Sequence, residues 1–365
     1  MADVAHLFGE FTPDKMGDDE ELHHEDAALA KLATLSPPTS AGAVIAVDLD
    51  DVLSQTNPQI ALWHNETFGT NLILSQFYYF YYWKNPFWGP PAITTAKVKS
   101  FYANPDFDQA HLAANSTSPP HSIPNTTLPI TDGSVPATND TPYSLHTALP
   151  VPGAREGVQA LRDAGFRLVI VTARSGTVRD GSWKWVEKWF GGLFDTIVCT
   201  GQFEDAHSKS AKGHEVTTKL SKKEVCTNIG AKLLIDDSLE NALNCAGYSP
   251  PFFSSRPSSS TISPTPTEPP KSQSPPIPVL LFGTYPWNKR LSLSSDCSFS
   301  TPDEQVFDVR VEKTGGERFL EEDAIWAEEV LSGDGERSDR AGVYRVRDWG
   351  EVMKWVTRAR EEGRL

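Results

Sequence analysis

The sequence predicts an α/β protein, a doubly wound parallel sheet with a mainly helical insertion after the first strand. Three observations carry this. Short apolar, β-branched runs at 43–50, 166–171, 196–199, 232–235 and 279–282 read as strands buried on both faces, the mark of a parallel sheet. Stretches of helical periodicity separate them. Three of the runs end in polar groups, Asp48/Asp50, Thr172 and Asp236/Asp237, which a parallel sheet brings to one edge.

Taken in order, residues 1–40 hold nine acids against Lys15 and Lys31 and end in a Pro/Ser/Thr cluster, so they read as a disordered acidic leader. Residues 41–53 and 146–290 supply the core. Between them, 54–145 forms a mainly helical insertion: a helix from Pro58 to Phe68, an aromatic run at 77–83 with Phe87 and Trp88, and a short helix from Lys97 to Tyr102. Within this insertion, 113–142 turns to Ser, Thr, Pro and Asn, the composition of a surface loop or a disordered insert. Helix 154–164 stops at Gly165, a C-terminal cap, and leads into strand 166–171. Helix 182–190 precedes strand 196–199. Residues 204–219 are polar. Ser221 with Glu224 forms a capping box for a helix through Ile229. Strand 232–235 and helix 238–246 follow. The Pro/Ser/Thr tract 249–276 reads as a disordered insert, and 279–282 is the last strand. Residues 291–365 form a C-terminal extension whose final helix carries Trp349, Val352, Met353 and Val356 on one face.

Composition narrows the function classes. Only 39% of the chain is hydrophobic and prolines number 28, so part of it lies outside any packed core. A net charge of −15 without a basic stripe argues against general nucleic-acid binding. No apolar run is long enough to span a bilayer. Cys199, Cys226, Cys245 and Cys297 are widely spaced without a CxxC pair, which reads as reduced buried thiols rather than disulfides or zinc ligands. The first residues show no secretory pattern, so the expected compartment is the cytoplasm, with the nucleus as the alternative. No feature names a protein partner.

The acids carry the chemistry. Two carboxylates one residue apart at a strand end repel each other unless a cation lies between them. Mg²⁺ suits Asp48 and Asp236, and with a lysine nearby the parts of a phosphoryl-transfer site are present. One aspartate attacks phosphorus, and a second protonates the leaving oxygen and then activates water. Blander readings stand beside this. An acidic pair after a strand often only caps a helix, as Asp237 and Ser238 would. Asp51 reads as an exposed turn residue. Arg174 either clamps a phosphate in two-point contact or is solvated. The aromatic run either stacks a nucleobase or, more commonly, packs as the insertion's own core. Trp287 and Asn288 either floor the pocket or make a strand-terminal turn.

Val47-Asp48-Leu49-Asp50-Asp51-Val52-Leu53, Val171-Thr172-Ala173-Arg174 and Leu234-Ile235-Asp236-Asp237-Ser238 resemble motifs one, two and four of the haloacid dehalogenase-like (HAD) hydrolases. Val279–Gly283 with Pro286-Trp287-Asn288 resembles the 5'(3')-deoxyribonucleotidase branch and its fungal relatives. The resemblance spans about 43–112, 146–248 and 277–290, and it implies a Rossmann-like parallel sheet with a helical cap, residues 54–145, inserted after strand one. It implies Asp48 as nucleophile, Asp50 as general acid/base, and Thr172 with the amide of Ala173 as phosphate binders. It implies Mg²⁺ held by Asp48, the Asp50 carbonyl and Asp236, with Asp237 assisting. The motif-three lysine is best placed at Lys222, with Lys223 and Lys219 as alternatives. The implied activity is a Mg²⁺-dependent phosphomonoesterase acting on a small phosphorylated metabolite, nucleoside 5'-monophosphates among the candidates. A catalytically idle HAD-type binding or regulatory protein is the rival.

Overall fold

The computed structural model describes residues 42–102, 148–201, 215–217, 220–248, 275–292, 302–332 and 342–365. The expectations for 1–40, for 113–142 and for the tract from 249 to 274 lie outside these residues, as do Lys219 and Cys297. In chain order the elements are β1 (Val44–Val47), α1 (Thr56–Phe68), α2 (Pro91–Tyr102), α3 (Ala154–Asp163), β2 (Arg167–Thr172), α4 (Arg179–Phe190), β3 (Thr196–Cys199), β4 (Glu215–Thr217), α5 (Lys222–Asn228), β5 (Ala231–Asp236), α6 (Leu239–Cys245), β6 (Val279–Phe282), α7 (Phe307–Thr314), α8 (Phe319–Ser332), β7 (Val343–Val346) and α9 (Trp349–Glu361).

The strands form one seven-stranded sheet in the order β4-β3-β2-β1-β5-β6-β7, and every neighbouring pair is parallel. Because side chains alternate along a strand, each strand supplies two buried faces. Ile45, Val47, Leu168, Ile170, Leu233, Ile235, Leu280 and Phe282 pack on one side with α3, α4 and α9. Val44, Ala46, Val169, Val171, Leu234, Val279 and Leu281 pack on the other with α5, α6 and Ala327 of α8. The result is a three-layer α/β/α fold, as the apolar runs predict.

The chain builds β2, β3 and β4 on one side of β1 and then crosses to build β5, β6 and β7 on the other. The connections therefore diverge beside β1, at the carboxyl ends of β1, β2 and β5, the place where open α/β sheets bind their ligands. That is where the acids lie.

Two strands escaped the sequence reading. β7 has the pattern Val-Tyr-Arg-Val with two exposed central residues, one on each face, because it is an edge strand at the rim of both helical layers. β4 is three residues long, inside the stretch read as polar. The tail is thereby joined to the sheet through β7, and α9 lies on α3. The fit is close: a Cβ on Gly157 of α3 would lie 2.4 Å from Cε3 of Trp349.

Between β1 and β2 the described chain is helical, with 3₁₀ turns at Leu74–Gln76 and Tyr82–Lys84. Ile60, Trp63, Leu72, Phe77, Trp88 and Phe101 form a core of its own, and Trp287, from the turn after β6, completes it. The aromatic run therefore serves mainly as packing. Trp88 and Phe77 are fully buried and Tyr82 stacks on Trp88. Tyr79 reaches the tail instead, where its hydroxyl donates to Asp323 at 2.5 Å and Arg310 binds the same carboxylate at 2.8 Å. Among the described residues no helix is long and apolar enough to cross a membrane.

Candidate active site

β1 ends at Val47, and the next residues turn sharply. Asp48 keeps its backbone in the sheet through its amide, which donates to the Ile235 carbonyl of β5 at 2.9 Å. Its Oδ1 accepts from the Leu49 amide at 2.7 Å, which leaves Oδ2 facing inward. Asp51 adopts a left-handed conformation (φ 55°), tolerable for an aspartate. That reversal is fixed by its amide donating to Ser54 O and its carboxylate accepting from the Asn57 amide at the start of α1. Asp50 therefore returns over the sheet edge instead of running on with the strand.

From the next strand on each side come the partners. β5 delivers Asp236, whose Oδ1 accepts from the Ser238 amide at 2.9 Å. The capping box of Ser221 and Glu224 starts α5 in the expected place and sets Lys222 on its first turn. The Lys222 ammonium then lies 2.7 Å from Asp48 Oδ2 and 2.7 Å from Asp236 Oδ2. Of the two weighed lysines among the described residues, Lys222 and Lys223, it is Lys222 that reaches the acids. β2 delivers Thr172, whose hydroxyl lies 3.3 Å from Asp50 Oδ2, and Ala173 follows it half-buried. Asp237 turns toward the β6 side, where the Trp287 indole donates to its Oδ2 at 2.6 Å.

Sequence reasoning left Arg174 undecided, and the structure pairs it with Asp50. Its Nη2 lies 2.7 Å and its Nε 3.0 Å from Asp50 Oδ1, while Nη1 donates to Ser182 at 2.8 Å. The Tyr102 ring lies 5.5 Å from the guanidinium. Thr56 donates to Asp50 Oδ1 at 2.6 Å. Thr56, Asn57, Ser182 and Tyr285 were not foreseen. No spacing marks them, and each acts through a contact made only by folding. One expectation is corrected: Asp51 is a turn residue but not an exposed one, being 3% accessible, with its carboxylate bound by the Asn57 amide of α1 and its carbonyl by the Tyr285 hydroxyl. Asn288 follows the turn reading, since its Nδ2 donates to the carbonyls of Phe282 and Gly283.

Electrostatically the site carries excess negative charge. Burial pushes the Asp48 carboxyl up to about 7; Lys222 opposes this, and Asp236 and Asp50 add to it. Burial also raises Asp237 well above the usual carboxylate range, with Asp48 and Asp236 reinforcing it, and raises Asp51 likewise, with Asp50 contributing. Asp50 is the opposite case: against the cost of burial, the Arg174 guanidinium holds it below that range. Despite its burial, Lys222 is held in the charged form by Asp236 and Asp48.

Carboxylate oxygens of Asp48, Asp236 and Asp237 lie within 4.8 Å of one another. Three hard oxygen donors at that spacing suit Mg²⁺ better than a soft or nitrogen-seeking ion. Five buried or half-buried carboxylates against Lys222 and Arg174 also leave a charge deficit that a divalent cation would offset. The donor set therefore fits the ion that the resemblance implies.

No family model matches the chain, and no curated protein matches it. Sixteen chains among solved structures do match. One is assigned as a phosphoglycolate phosphatase from Lactobacillus delbrueckii subsp. bulgaricus; it is 16% identical, covers 56% of this chain and 82% of its own, and aligns with a TM-score of 0.28.

Proposed function

We propose that this chain is a Mg²⁺-dependent phosphomonoesterase of the HAD type, acting on a small phosphorylated metabolite. The observation that carries the reading is the convergence of Asp48, Asp236 and Asp237 around Lys222 at the carboxyl edge of a parallel sheet, with Asp50 and Thr172 beside them. Asp48, Asp236 and Asp237 would hold the ion, which supplies charge neutralisation for an anionic substrate. The Asp48 carboxylate attacks phosphorus and the bond from phosphorus to the ester oxygen breaks; Asp50, ionised in the free site beside Arg174, relays the proton of the substrate monoanion to that oxygen. Water then attacks the aspartyl-phosphate, Asp50 takes up its proton, and inorganic phosphate leaves with Asp48 restored. Lys222 and Thr172 steady the phosphoryl oxygens, and Arg174 with Thr56 fixes the direction of Asp50.

A Mg²⁺-containing assay on p-nitrophenyl phosphate, then on a panel of metabolite phosphates, tests this. Turnover should vanish in Asp48→Asn and on chelation; turnover that survives Asp48→Asn refutes the mechanism. Nucleoside 5'-monophosphates belong in the panel because the half-buried rings of Tyr82 and Tyr102 border the acids. The enclosure of the site favours the rival reading of an idle binding fold, since Asp48, Thr172 and Asp236 are at most 3% accessible. No turnover across the whole panel, together with a stable partner in pull-downs, would establish that rival.

A further inference from the structure

We infer that Trp287 is a metal-positioning residue, which sets the Asp237 carboxylate by a single indole hydrogen bond; this rests on the metal-dependent reading above. The turn after β6 is built to present that ring. Gly283 takes a left-handed conformation (φ 83°), and Asn288 closes the turn by donating to the carbonyls of Phe282 and Gly283 at 3.0 and 2.8 Å. Tyr285 and Trp287 then stack on each other, with centroids 4.4 Å apart and planes 5° from parallel. Each ring reaches a different acid loop: the Tyr285 hydroxyl donates to the Asp51 carbonyl at 2.8 Å, and the Trp287 Nε1 donates to Asp237 Oδ2 at 2.6 Å.

Trp287 is 1% accessible, and its edge meets Phe77 at 6.2 Å within the aromatic core of the segment after β1. A ring so enclosed has one orientation, so its N–H has one direction. Of the three carboxylates that converge, Asp48 and Asp236 are already directed by backbone amides and by Lys222. For Asp237 the indole is the directional donor that the structure shows. A donor behind a metal-binding carboxylate fixes which oxygen faces the ion, and its loss typically weakens metal binding about 10- to 100-fold.

The test is calorimetric titration of the full chain with Mg²⁺ and with Mn²⁺. Trp287→Phe should raise the metal dissociation constant about tenfold or more. A 3-benzothienylalanine at position 287 keeps the bicyclic shape and removes only the N–H, so it should do the same without disturbing the packing. In an Asp237→Asn background neither change should weaken binding further. Wild type that binds metal, with both variants binding within about twofold of it, overturns this inference and leaves the proposed function standing. Wild type that binds no divalent ion overturns both.

Discussion

Replacing Lys222 by Met should destabilise the protein severely, and in a way that acid or metal reverses. The ammonium sits 2.7 Å from each of two buried carboxylates. At an effective dielectric of about 20, each attraction amounts to ~6 kcal/mol, and desolvation of the three ions cancels much of it. Removing one member of such a cluster leaves uncompensated buried charge, at a cost of about 3–5 kcal/mol. That is a large share of the roughly 5–15 kcal/mol that holds a domain folded. The sign of the pH dependence follows from Asp48. With Lys222 present its carboxyl lies at about 7, above the ordinary 3.8, so the folded state binds the proton more tightly than the unfolded chain does. That contribution is complete below about pH 3.8 and is lost as pH rises through about 7. Without Lys222 the carboxyl rises further, so the Met variant should lose most stability near pH 8 and least near pH 5.5. Urea unfolding in chelator at both pH values, repeated with Mg²⁺, measures this. A loss under about 1 kcal/mol at pH 8, or a loss that neither acid nor Mg²⁺ reduces, would refute the account of the site as a charge cluster.

Three further outcomes are expected. Arg174→Met should lower turnover by about 10²-fold by freeing Asp50, with a larger loss on an alkyl phosphate than on p-nitrophenyl phosphate, whose leaving group needs little protonation; steady-state kinetics on both esters checks it. Gly157→Ala should cost about 1–3 kcal/mol, read by urea unfolding, because its Cβ would meet the Trp349 ring. Burial lowers the Lys84 ammonium to about 7, while the unfolded chain keeps the ordinary 10.5, so the penalty is full below pH 7 and fades as pH rises toward 10.5. Between those values wild type should gain up to about 1.4 kcal/mol per pH unit over Lys84→Met in unfolding free energy.

The sheet and the acids were legible because both depend on local pattern. A central parallel strand must be apolar on both faces, so Val44–Val47 and Val279–Phe282 stand out, and the polar groups that end such strands share an edge by topology alone. Lys222 was legible through its cap, since Ser221 and Glu224 fix where α5 begins. What stayed hidden depends on tertiary contact. The bond between Arg174 and Asp50 joins positions 124 residues apart, and the Asp51 carbonyl is bound by a tyrosine 234 residues away. β7 was missed for the opposite reason: an edge strand whose centre is exposed on both faces needs no apolar run.

The acid loop after β1 is held from three distant parts of the chain, and this explains why the tail belongs to the site although the motif resemblance stops before it. The Val52 carbonyl accepts from the Trp349 indole at 3.0 Å, the Asp51 carbonyl from the Tyr285 hydroxyl, and the Leu53 carbonyl from the Val151 amide at 2.8 Å. Asp51 alone would resist its left-handed conformation, at a cost of order 1 kcal/mol. Three donors on consecutive carbonyls over-determine that conformation, so Asp50 and Asp48 are aimed before any substrate arrives. The donor for Val52 exists only because α9 packs its Trp349 face on α3 and the sheet. Trp349→Phe should therefore loosen the loop and lower turnover while leaving Asp236 and Asp237, at the end of β5, in place; unchanged kcat in a folded variant would show that two donors suffice.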